Sequence, residues 1–404
     1  MTTAIVIGGG IAGCSAAYAL AKRGINVTLL ERRAEIAQEA SGNPLAMLYP
    51  KLSKKPSLQS AISLLGFHFT LDLLAKLSNS ATFFKACGQI QLAFNAAEKA
   101  KQYALLQDDY NHKNQQLVWV LDADGASELA GIALKSTGIF LPQAGWVNPR
   151  LFCAALCNHA LIKLQINANV ISIQPNKNGW YVNTKTNQFE AENVVICNAN
   201  DIKKFDLCNS AQITPVRGQI EFFAPNAASE NLKTIICNDH FVSPSVAGLH
   251  SIGTTYSINT AQNDFNIQIS AIDTKSNLAV LGKISPEILH KIDIKSVTSR
   301  VAYRSQTLDY RPLVGQMLNE MKLRENPPRY NVNPNNLPWL QGLYVNAGHG
   351  SKGMITAPLC SELIASLICK AKLPIDAELA SSMNPNRFLL RELGLKQLAA
   401  SLYT

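Results

Sequence analysis

The sequence contains little that would bind a metal ion or build a disulfide framework. Its nine cysteines are an odd number and include no C-x-x-C pair. This pattern favours reduced thiols in buried positions over disulfide bonds. Cys153 and Cys157 share a predicted helix face, but no further ligand residues lie near them in the sequence, so we expect no metal site.

Long apolar runs are also lacking, and we expect no leader segment. No apolar run approaches the ~20 residues of a membrane-spanning helix, so we expect no membrane partner. A predicted buried strand begins directly after Met-Thr-Thr, without a positively charged leader, which favours a cytoplasmic protein. With 47% hydrophobic and 16% charged residues among 404, the composition is that of a globular chain long enough for two lobes.

Negative charge is in the minority. The 28 acidic residues are outnumbered by 37 basic ones, which gives a formal net charge of +9. A basic surface attracts polyanions such as RNA through counterion release. The same charge is equally typical of a solvated surface without a nucleic-acid partner, so charge alone leaves both readings open.

A glycine loop stands at the start of the sequence. Gly8, Gly10 and Gly13 form the pattern G-x-G-x-x-G between a predicted strand at 3–8 and a predicted helix at 11–23. The first glycine permits a tight turn, the second lets a pyrophosphate approach the backbone, and the third lets the helix pack on the strand. The N–H groups at the start of the helix can then bind phosphate.

Two further features indicate which dinucleotide would bind. Glu31 ends the next predicted strand, about 20 residues after Gly10, where a carboxylate can accept both ribose hydroxyls; this favours FAD or NAD over NADP. A second glycine cluster, Gly348 to Gly353, lies between a predicted strand at 343–346 and a predicted helix at 357–370. Its N–H groups can stabilise negative charge on a reduced isoalloxazine ring, which favours FAD. A capped loop with a turn is the structural alternative.

Six segments, in order and spacing, resemble the D-amino-acid oxidase superfamily of flavoproteins along nearly the whole chain. They are Gly8 to Gly13 with Glu31, Ala40-Ser41-Gly42-Asn43, Gly145-Trp146-Val147-Asn148-Pro149, Pro215-Val216-Arg217-Gly218-Gln219, Arg304 to Gly315, and Gly348 to Gly353 with Ala357-Pro358. The resemblance implies an α/β fold in which a Rossmann-like FAD-binding domain is joined to a second, antiparallel-sheet α+β substrate domain. It assigns residues 1–82, 143–212 and 308–404 to the FAD-binding domain, and 83–142 and 213–307 to the substrate domain.

The same resemblance implies FAD as a non-covalent cofactor, because no cysteine stands clearly at a covalent flavin position. The residues that it assigns to FAD come from both glycine loops and from segments between them. They are Gly8, Gly10, Ile11, Ala12, Gly13, Glu31, Arg32, Ser41, Gly42, Asn43, Ala46, Val170, Asn198, Ala199, Gly315, Gly348, His349, Gly350, Ser351, Lys352, Gly353 and Met354.

The resemblance also places Arg304, Tyr256 and His349 in the catalytic site. Arg304 matches the superfamily arginine that binds a substrate carboxylate, a role that suits a bidentate guanidinium; a structural pair with Asp309 is the alternative. Tyr256 and Arg217 are weaker candidates for lining the pocket, and packing roles are equally open to them. His349 is expected near the flavin, with a structural hydrogen bond as its alternative. No general base is apparent, and this chemistry depends more on positioning and flavin electronics.

Within the superfamily, residues 40–53 and 348–359 resemble the FAD-dependent half of bifunctional enzymes that complete 5-methylaminomethyl-2-thiouridine at the tRNA wobble position. That resemblance implies oxidative removal of a carboxymethyl group, as glyoxylate, with tRNA as the partner. The methyltransferase half of those enzymes has no counterpart here, so we expect a free-standing oxidoreductase or an excised domain, with a separate methyltransferase as a further partner. Lys352 stands where that family is expected to have arginine.

Two other functions are open to the same residues. An oxidase or dehydrogenase of a free small amino acid, such as glycine, sarcosine or a D-amino acid, would have a closed pocket that is indifferent to salt. A tRNA enzyme needs an open, basic mouth, and its binding falls steeply with salt. A non-catalytic flavoprotein or RNA-binding scaffold is disfavoured, because Arg304 and both glycine loops are intact.

Overall fold

The computed structural model describes residues 2–53, 55, 57–106, 117–258, 265–329 and 331–403. Within these ranges the strands are β1 (Thr3–Ile7), β2 (Asn26–Leu30), β3 (Ala46–Leu48), β4 (Phe84–Lys85), β5 (Gln89–Leu92), β6 (Trp119–Leu121), β7 (Gly138–Leu141), β8 (Gly145–Val147), β9 (Ile162–Gln165), β10 (Val170–Asn176), β11 (Gly179–Thr184), β12 (Gln188–Ala191), β13 (Asn193–Ile196), β14 (Ile213–Phe223), β15 (Ile235–Cys237), β16 (Phe241–Val242), β17 (His250–Gly253), β18 (Ser257–Ile258), β19 (Thr298–Thr307), β20 (Leu313–Leu318) and β21 (Trp339–Ala347). The α-helices are α1 (Ile11–Ala21), α2 (Leu58–Lys76), α3 (Ala96–Leu106), α4 (Ala123–Ala130), α5 (Pro149–Cys157), α6 (Ala271–Ile284), α7 (Pro286–His290), α8 (Glu320–Glu325), α9 (Gly353–Ile368), α10 (Ala377–Ser382), α11 (Arg387–Glu392) and α12 (Lys396–Ala400).

A six-stranded sheet carries the first glycine loop. Its strand order is β20-β21-β13-β1-β2-β9, and neighbouring strands run parallel except for β20 and β21. Ile5, Val6 and Ile7 of β1 are all buried, as a continuous apolar run predicts for a strand covered on both faces. Helices α1, α2, α5 and α9 form the layer on one face, and the small sheet β10-β11-β12 packs on the other.

A nine-stranded sheet forms the second unit of the structure. Its order is β18-β14-β17-β16-β15-β5-β7-β6, and β19 also pairs with β14. The pairs are antiparallel apart from β5 with β15. Helices α4, α6 and α7 cover an apolar face around Phe223. The structure thus combines a mainly parallel, Rossmann-like sheet with a mainly antiparallel α+β unit, as the resemblance implies.

The two sheets take their strands from interleaved parts of the chain. Strands of the six-stranded sheet lie within residues 3–30, 162–196 and 313–347, whereas those of the nine-stranded sheet lie within 89–141 and 213–307. Such interleaving is what a discontinuous FAD-binding domain requires. The domain limits at residues 82, 142, 212 and 307 stay predictions.

One helix, α2, has the length and composition of a membrane span, although it contains no long continuous apolar run. Helix α2 has 19 residues and a mean hydropathy of 1.3, and 39% of its most apolar window is buried. Polar residues such as His68 and Asp72 interrupt its apolar positions. Phe67 and Leu74 are buried in the same core as residues of α1 and α9, so the helix packs as part of that layer.

The sequence predicts an extended loop at 318–340, which is polar and rich in proline and asparagine, short strands at 212–310, and one amphipathic helix at 387–402. The structure differs from these predictions in all three stretches. Residues 318–340, predicted as an extended loop, contain α8, whose N-cap residue Asn319 accepts a hydrogen bond from Lys322 N at 3.1 Å. Residues 212–310, predicted as short strands, also contain α6 and α7. The predicted helix at 387–402 is two short helices, because Gly394 adopts φ +77° between α11 and α12. Its apolar side packs in the core, as expected.

Candidate functional site

A cavity of about 660 Å³ is lined by both sheets. Segments that follow parallel strands form one side, the parallel-sheet wall, and segments of the nine-stranded sheet form the other, the antiparallel-sheet wall. Open α/β sheets bind ligands at the carboxyl ends of their parallel strands, so the cavity lies where a dinucleotide is expected. The parallel-sheet wall contains residues 7–12, 30–33, 197–201 and 346–351, and the antiparallel-sheet wall contains 237–241, 253, 254, 256 and 300–305.

The loop between β1 and α1 presents backbone N–H groups to the cavity. Gly8 has φ +107°, a conformation that favours glycine. A Cβ atom on Gly13 would lie 1.7 Å from the Gly8 carbonyl oxygen, so only glycine lets α1 pack this closely on the loop. Helix α1 begins without a side-chain cap on its N-cap residue, although Ile11 N donates to Ser41 Oγ at 3.0 Å. Its first turn therefore offers N–H donors to an anion.

Glu31 lies at the same edge of the sheet, directly after β2. Its carboxylate accepts hydrogen bonds from Gly9 N at 2.6 Å and from Arg33 N at 2.7 Å. Burial raises the pKa of Glu31, and these backbone donors oppose the shift. Each carboxylate oxygen has a further lone pair, so Glu31 can still accept ribose hydroxyl groups. The neighbouring Arg32 pairs with Glu39 at 2.5 Å.

His349 connects the second glycine loop to α9 and β21. One ring nitrogen, Nδ1, lies 2.9 Å from Thr356 Oγ1 on α9, and the other, Nε2, lies 3.1 Å from Asn346 Oδ1 on β21. Burial lowers the pKa of His349 to about 3, so the ring is neutral at pH 7. These contacts give His349 a structural role in the loop, and its predicted catalytic role stays a prediction.

Most residues assigned to FAD from the sequence meet at this cavity. The structure thereby brings together segments that are more than half the chain apart. The assigned residues in its lining are Gly8, Gly10, Ile11, Ala12, Glu31, Arg32, Ser41, Asn43, Ala46, Val170, Asn198, Ala199, Gly348, His349, Gly350, Ser351, Gly353 and Met354.

Four assigned residues, all within the described ranges, lie outside this lining: Gly13, Gly42, Gly315 and Lys352. Gly13 and Gly42 lie behind it and let other groups approach; a Cβ on Gly42 would come within 2.5 Å of the Arg300 guanidinium. Gly315 lies against the C-terminal segment, where a Cβ would come within 2.2 Å of a tyrosine hydroxyl. Lys352 lines a second, smaller cavity.

Arg304 extends from β19 into the antiparallel-sheet wall. Its guanidinium donates to Thr255 O at 3.3 Å and to Thr254 Oγ1, and its Cζ lies 5.9 Å from the ring centre of Tyr256. A Cβ on Gly218 would come within 2.6 Å of Nη1, so the guanidinium fits beside β14 because residue 218 is glycine. Burial lowers the pKa of Arg304. The ion pairs of the described residues do not include it, so its charge is available to an anionic ligand.

The structural alternative for Arg304, a pair with Asp309, is not what the structure shows. Asp309 pairs with Arg311 at 2.6 Å and with the fully buried Arg387 at 2.7 Å. Burial alone would raise the pKa of Asp309, but these two guanidinium groups hold it well below its usual range. Arg387, which the sequence pattern does not single out, therefore fixes the turn after β19 and leaves Arg304 available.

Arg217 does not line the cavity, so of the two roles left open by the sequence the structure shows the packing role. Its guanidinium pairs with Asp273 and donates to Gln268 O at 2.6 Å. Arg217 thereby ties β14 to the start of α6. Tyr256, the other weaker candidate, does line the cavity; it is 48% exposed, and its hydroxyl donates to Gln306 Oε1 at 2.7 Å.

Tyr49 is a lining residue that the sequence pattern does not single out. Lys352 Nζ lies 3.0 Å from the centre of its ring, a cation–π arrangement. Burial raises the pKa of the Tyr49 hydroxyl, and the charge of Arg304 opposes this shift, which places the hydroxyl in the electrostatic surroundings of Arg304. Burial lowers the pKa of Lys352 to about 7. Tyr49 lies within the matched segment 40–53, which was the available signal.

Arg300 is a second residue that sequence reasoning misses. It donates to Gln38 O at 3.0 Å and to Asn43 Oδ1, and so joins β19 to the loop that carries Ser41. Burial lowers the pKa of Arg300. The available signal was spacing, because residues 300 and 304 lie an even number of positions apart on one strand and face the same side.

The cavity suits FAD on grounds of space and donor chemistry. Its volume of about 660 Å³ is in the range of cofactor sites, roughly 300–1,000 Å³. The N–H groups of α1 suit a pyrophosphate, and Glu31 suits a ribose. Asn198 Oδ1 is buried in the wall without a hydrogen-bond partner among the described residues, and such an acceptor fits a donor group on a bound ligand.

Comparisons with known sequences show the family of the chain. A family model described as DAO, FAD dependent oxidoreductase, matches residues 3–367. The tRNA 5-methylaminomethyl-2-thiouridine biosynthesis bifunctional protein MnmC of Methylobacillus flagellatus is 38% identical over 401 residues, which cover 99% of this chain and 61% of that protein. The protein of the same name from Pseudomonas savastanoi pv. phaseolicola is 36% identical over 401 residues, with 96% and 59% covered. The chain thus spans about three fifths of the length of these relatives.

Solved structures share the fold. Glycine oxidase from Geobacillus kaustophilus superposes with a TM-score of 0.75 at 22% identity, over 93% of this chain and 97% of that chain. L-proline dehydrogenase from P. horikoshii superposes with a TM-score of 0.75 at 20% identity, over 96% and 98%. The predicted fold class is therefore confirmed. Because the family model covers most of its length, the chain belongs to the DAO family of FAD-dependent oxidoreductases.

Proposed function

We propose that this oxidoreductase removes the carboxymethyl group, as glyoxylate, from 5-carboxymethylaminomethyl-2-thiouridine at the tRNA wobble position. The observation that carries the proposal is Arg304, a partly buried guanidinium without an acidic partner among the described residues, in a cavity that both glycine loops also line. The substituent of the base is an N-substituted glycine, so its carboxylate is separated from the amine by one carbon. A guanidinium that holds this carboxylate fixes that carbon in the cavity.

The other residues of the antiparallel-sheet wall complete the substrate site. Tyr256 lies over Arg304 at the mouth, and the neutral Tyr49 hydroxyl can donate to the same carboxylate. His240 also lines the wall, and burial lowers its pKa, so its ring is neutral at pH 7 and can accept a proton from the substrate amine. In this proposal Arg304 and Tyr256, which the resemblance places in the catalytic site, bind the substrate.

The proposed reaction is an oxidation followed by hydrolysis. FAD, when bound, supplies the acceptor for a hydride from the glycyl carbon. Loss of that hydride leaves a C=N bond between the glycyl carbon and the nitrogen. Water adds to the carbon and the C–N bond breaks, so that glyoxylate leaves and an aminomethyl group stays on the base. Arg304 holds the carboxylate throughout, because the group is unchanged in the product glyoxylate.

The similarity to MnmC proteins supports tRNA as the partner, together with basic residues at the cavity. Arg300 lines the cavity outside the ion pairs of the described residues, whereas Arg33 and Lys204 are paired with Glu39 and Asp201, and the formal net charge of the chain is +9. Such charges attract a polyanion. A separate methyltransferase partner, non-covalent FAD and a cytoplasmic location belong to the same proposal.

Product analysis tests the proposal. The FAD-loaded chain is incubated with tRNA that carries the carboxymethylaminomethyl group, at low and at high salt, and both the nucleoside and the released acid are identified by mass spectrometry. We expect glyoxylate and the aminomethyl nucleoside in equal amounts, with the rate at low substrate concentration falling steeply as salt rises. Glyoxylate from glycine or sarcosine, with no change in the tRNA, would contradict the proposal.

That contradictory result would favour a free amino acid as the substrate. The carboxylate site at Arg304 suits glycine and N-methylglycine equally, since both carry a carboxylate one carbon from the amine. The two functions differ in salt dependence, because a zwitterionic amino acid releases no bound counterions.

A further inference from the structure

A second cavity, of about 210 Å³, shares part of its lining with the first. Tyr256 and residues 348–351 line both cavities, so the two spaces meet along the second glycine loop. The residues that line only the smaller cavity include Lys51, Tyr310 and Lys352. This space is therefore a neighbour of the proposed substrate site.

Positive charge in the smaller cavity is not balanced locally. Its lining contains two lysines and no aspartate or glutamate among the described residues. Lys51 Nζ donates to Gln59 Oε1 at 2.7 Å, and Lys352 Nζ lies on the ring of Tyr49; neither forms one of the ion pairs of the described chain. The first cavity differs, because there Arg32 is paired with Asp201 and Glu39. The smaller cavity thus suits an anionic group, which would also favour the protonated form of Lys352.

Tyr310 is exposed and has an unusual backbone conformation. It is 58% exposed, and its backbone adopts φ +58°, a left-handed conformation that is rare for a bulky residue. The turn is held from both sides: Tyr310 N donates to Thr307 O at 3.2 Å, and Asp309 is fixed by the buried Arg387 at 2.7 Å. A strained residue kept in place by its surroundings, with its ring exposed at a cavity, indicates a function for the ring.

We propose that this cavity binds a nucleotide next to the target uridine, with its base stacked on Tyr310 and its phosphate beside Lys51 and Lys352. The proposal rests on the proposed function, since it names a further contact of the same tRNA. Proteins bind unpaired nucleotides by combining aromatic faces with basic side chains, and the smaller cavity offers both. Because the two cavities share a wall, a nucleotide in the smaller cavity would lie next to a base held in the first.

Binding and kinetics with the FAD-loaded full chain test this inference. Tyr310→Asn removes the ring but keeps a residue that tolerates the left-handed backbone, and Tyr310→Phe keeps a ring that can stack. Leu308→Ala is the matched control, because Leu308 is 65% exposed in the same turn and lines neither cavity. Each protein is assayed with modified tRNA and with the same tRNA that has an abasic site beside the target uridine.

We expect Tyr310→Asn to raise KM and Kd for tRNA roughly 5- to 150-fold, the range for loss of one stacked base, with kcat little changed. Tyr310→Phe and Leu308→Ala should stay near wild type, and the abasic tRNA should bind wild type and Tyr310→Asn equally. An unchanged Kd for Tyr310→Asn, or the same loss with the abasic tRNA as with the intact one, would overturn the inference and leave the proposed function standing. Failure of the wild-type chain to oxidise the tRNA at all would overturn both.

Discussion

The two walls of the main cavity are built from different kinds of atoms. The parallel-sheet wall consists of loops at strand ends, where backbone N–H groups and closely packed glycines face the ligand. The antiparallel-sheet wall presents long side chains, foremost Arg304 and Tyr256, from neighbouring strands. A backbone-built wall is sensitive to any added Cβ atom, whereas a side-chain-built wall is sensitive to truncation. The parallel-sheet wall therefore suits a cofactor, which is the same in every turnover. The antiparallel-sheet wall suits a substrate, which is recognised by side chains.

The largest effect is expected from Gly13→Ala in the parallel-sheet wall. The added Cβ would lie 1.7 Å from the Gly8 carbonyl oxygen, so α1 must move away from the loop. We expect loss of bound FAD from the purified protein and a decrease of about 1–3 kcal/mol in the free energy of unfolding. The visible absorption spectrum and urea unfolding measure the two effects.

Gly24→Ala is the control for this substitution. Gly24 ends the same helix with φ +78°, but no heavy atom lies within 4 Å of the position that an added Cβ would take. It should lower stability by about 1 kcal/mol through backbone conformation alone and should keep FAD. Equal FAD content in Gly13→Ala and wild type would contradict the backbone-built wall.

Arg304→Ala should have the next largest effect, on activity and not on FAD binding. FAD content should match wild type, because the residue lies in the antiparallel-sheet wall. We expect kcat/KM to fall at least about 100-fold, since the carboxylate that positions the reacting carbon loses its partner. Arg217→Ala, which removes a guanidinium paired with Asp273 outside the cavity, should leave kcat/KM near wild type. Equal losses in the two variants would show that Arg304 acts only through stability.

Gly218→Ala should mimic a displaced Arg304 to a smaller extent. Its Cβ would come within 2.6 Å of Arg304 Nη1, and the guanidinium can respond by shifting. We expect kcat/KM to fall about 10-fold with FAD content unchanged, because a small misplacement of a binding group weakens orientation. Gly248→Ala, with no heavy atom within 4 Å of the added Cβ, serves as the control in the same lobe. No kinetic change in Gly218→Ala would separate Arg304 from catalysis.

The last effect concerns the pH dependence of stability and is expected from Lys352, which lines the smaller cavity. Its pKa in the folded protein is about 7, below the usual 10.5, so between these values the unfolded chain binds more protons than the folded one. Stability should therefore rise with pH from about 7 to 10.5, by at most about 1.4 kcal/mol per pH unit. Urea unfolding of wild type and Lys352→Met at several pH values measures this slope. A slope that persists in Lys352→Met would assign it to another group.

The sequence predicts the parallel-sheet wall well because its signals are local. Gly8, Gly13 and Glu31 belong to one strand–helix–strand unit, and their spacing defines the geometry before the rest of the chain is considered. The second glycine loop is recognisable for the same reason. Gly315 is the exception, since its lack of a side chain serves packing against the C-terminal segment, which no local pattern reveals.

The antiparallel-sheet wall is harder to predict from the sequence, because strand pairing brings its residues together. Residues 237–241 and 300–305 meet only through the register of the nine-stranded sheet, in which Gly218 lies opposite Ala302 next to Arg304. Tyr49 and Arg300 contribute through contacts with distant segments. The resemblance of whole segments identifies Arg304, whereas its partners and the role of Arg217 emerge from the fold.

Anaerobic reduction of the bound flavin tests the central claim most directly. Wild type and Arg304→Ala, both loaded with FAD, are mixed without oxygen with tRNA that carries the carboxymethylaminomethyl group, and in parallel with glycine, sarcosine and D-amino acids. The account predicts rapid bleaching of the wild-type flavin by the tRNA alone and a rate at least about 100-fold lower in Arg304→Ala. Bleaching by a free amino acid and not by the tRNA, or equal rates in the two proteins, would contradict it.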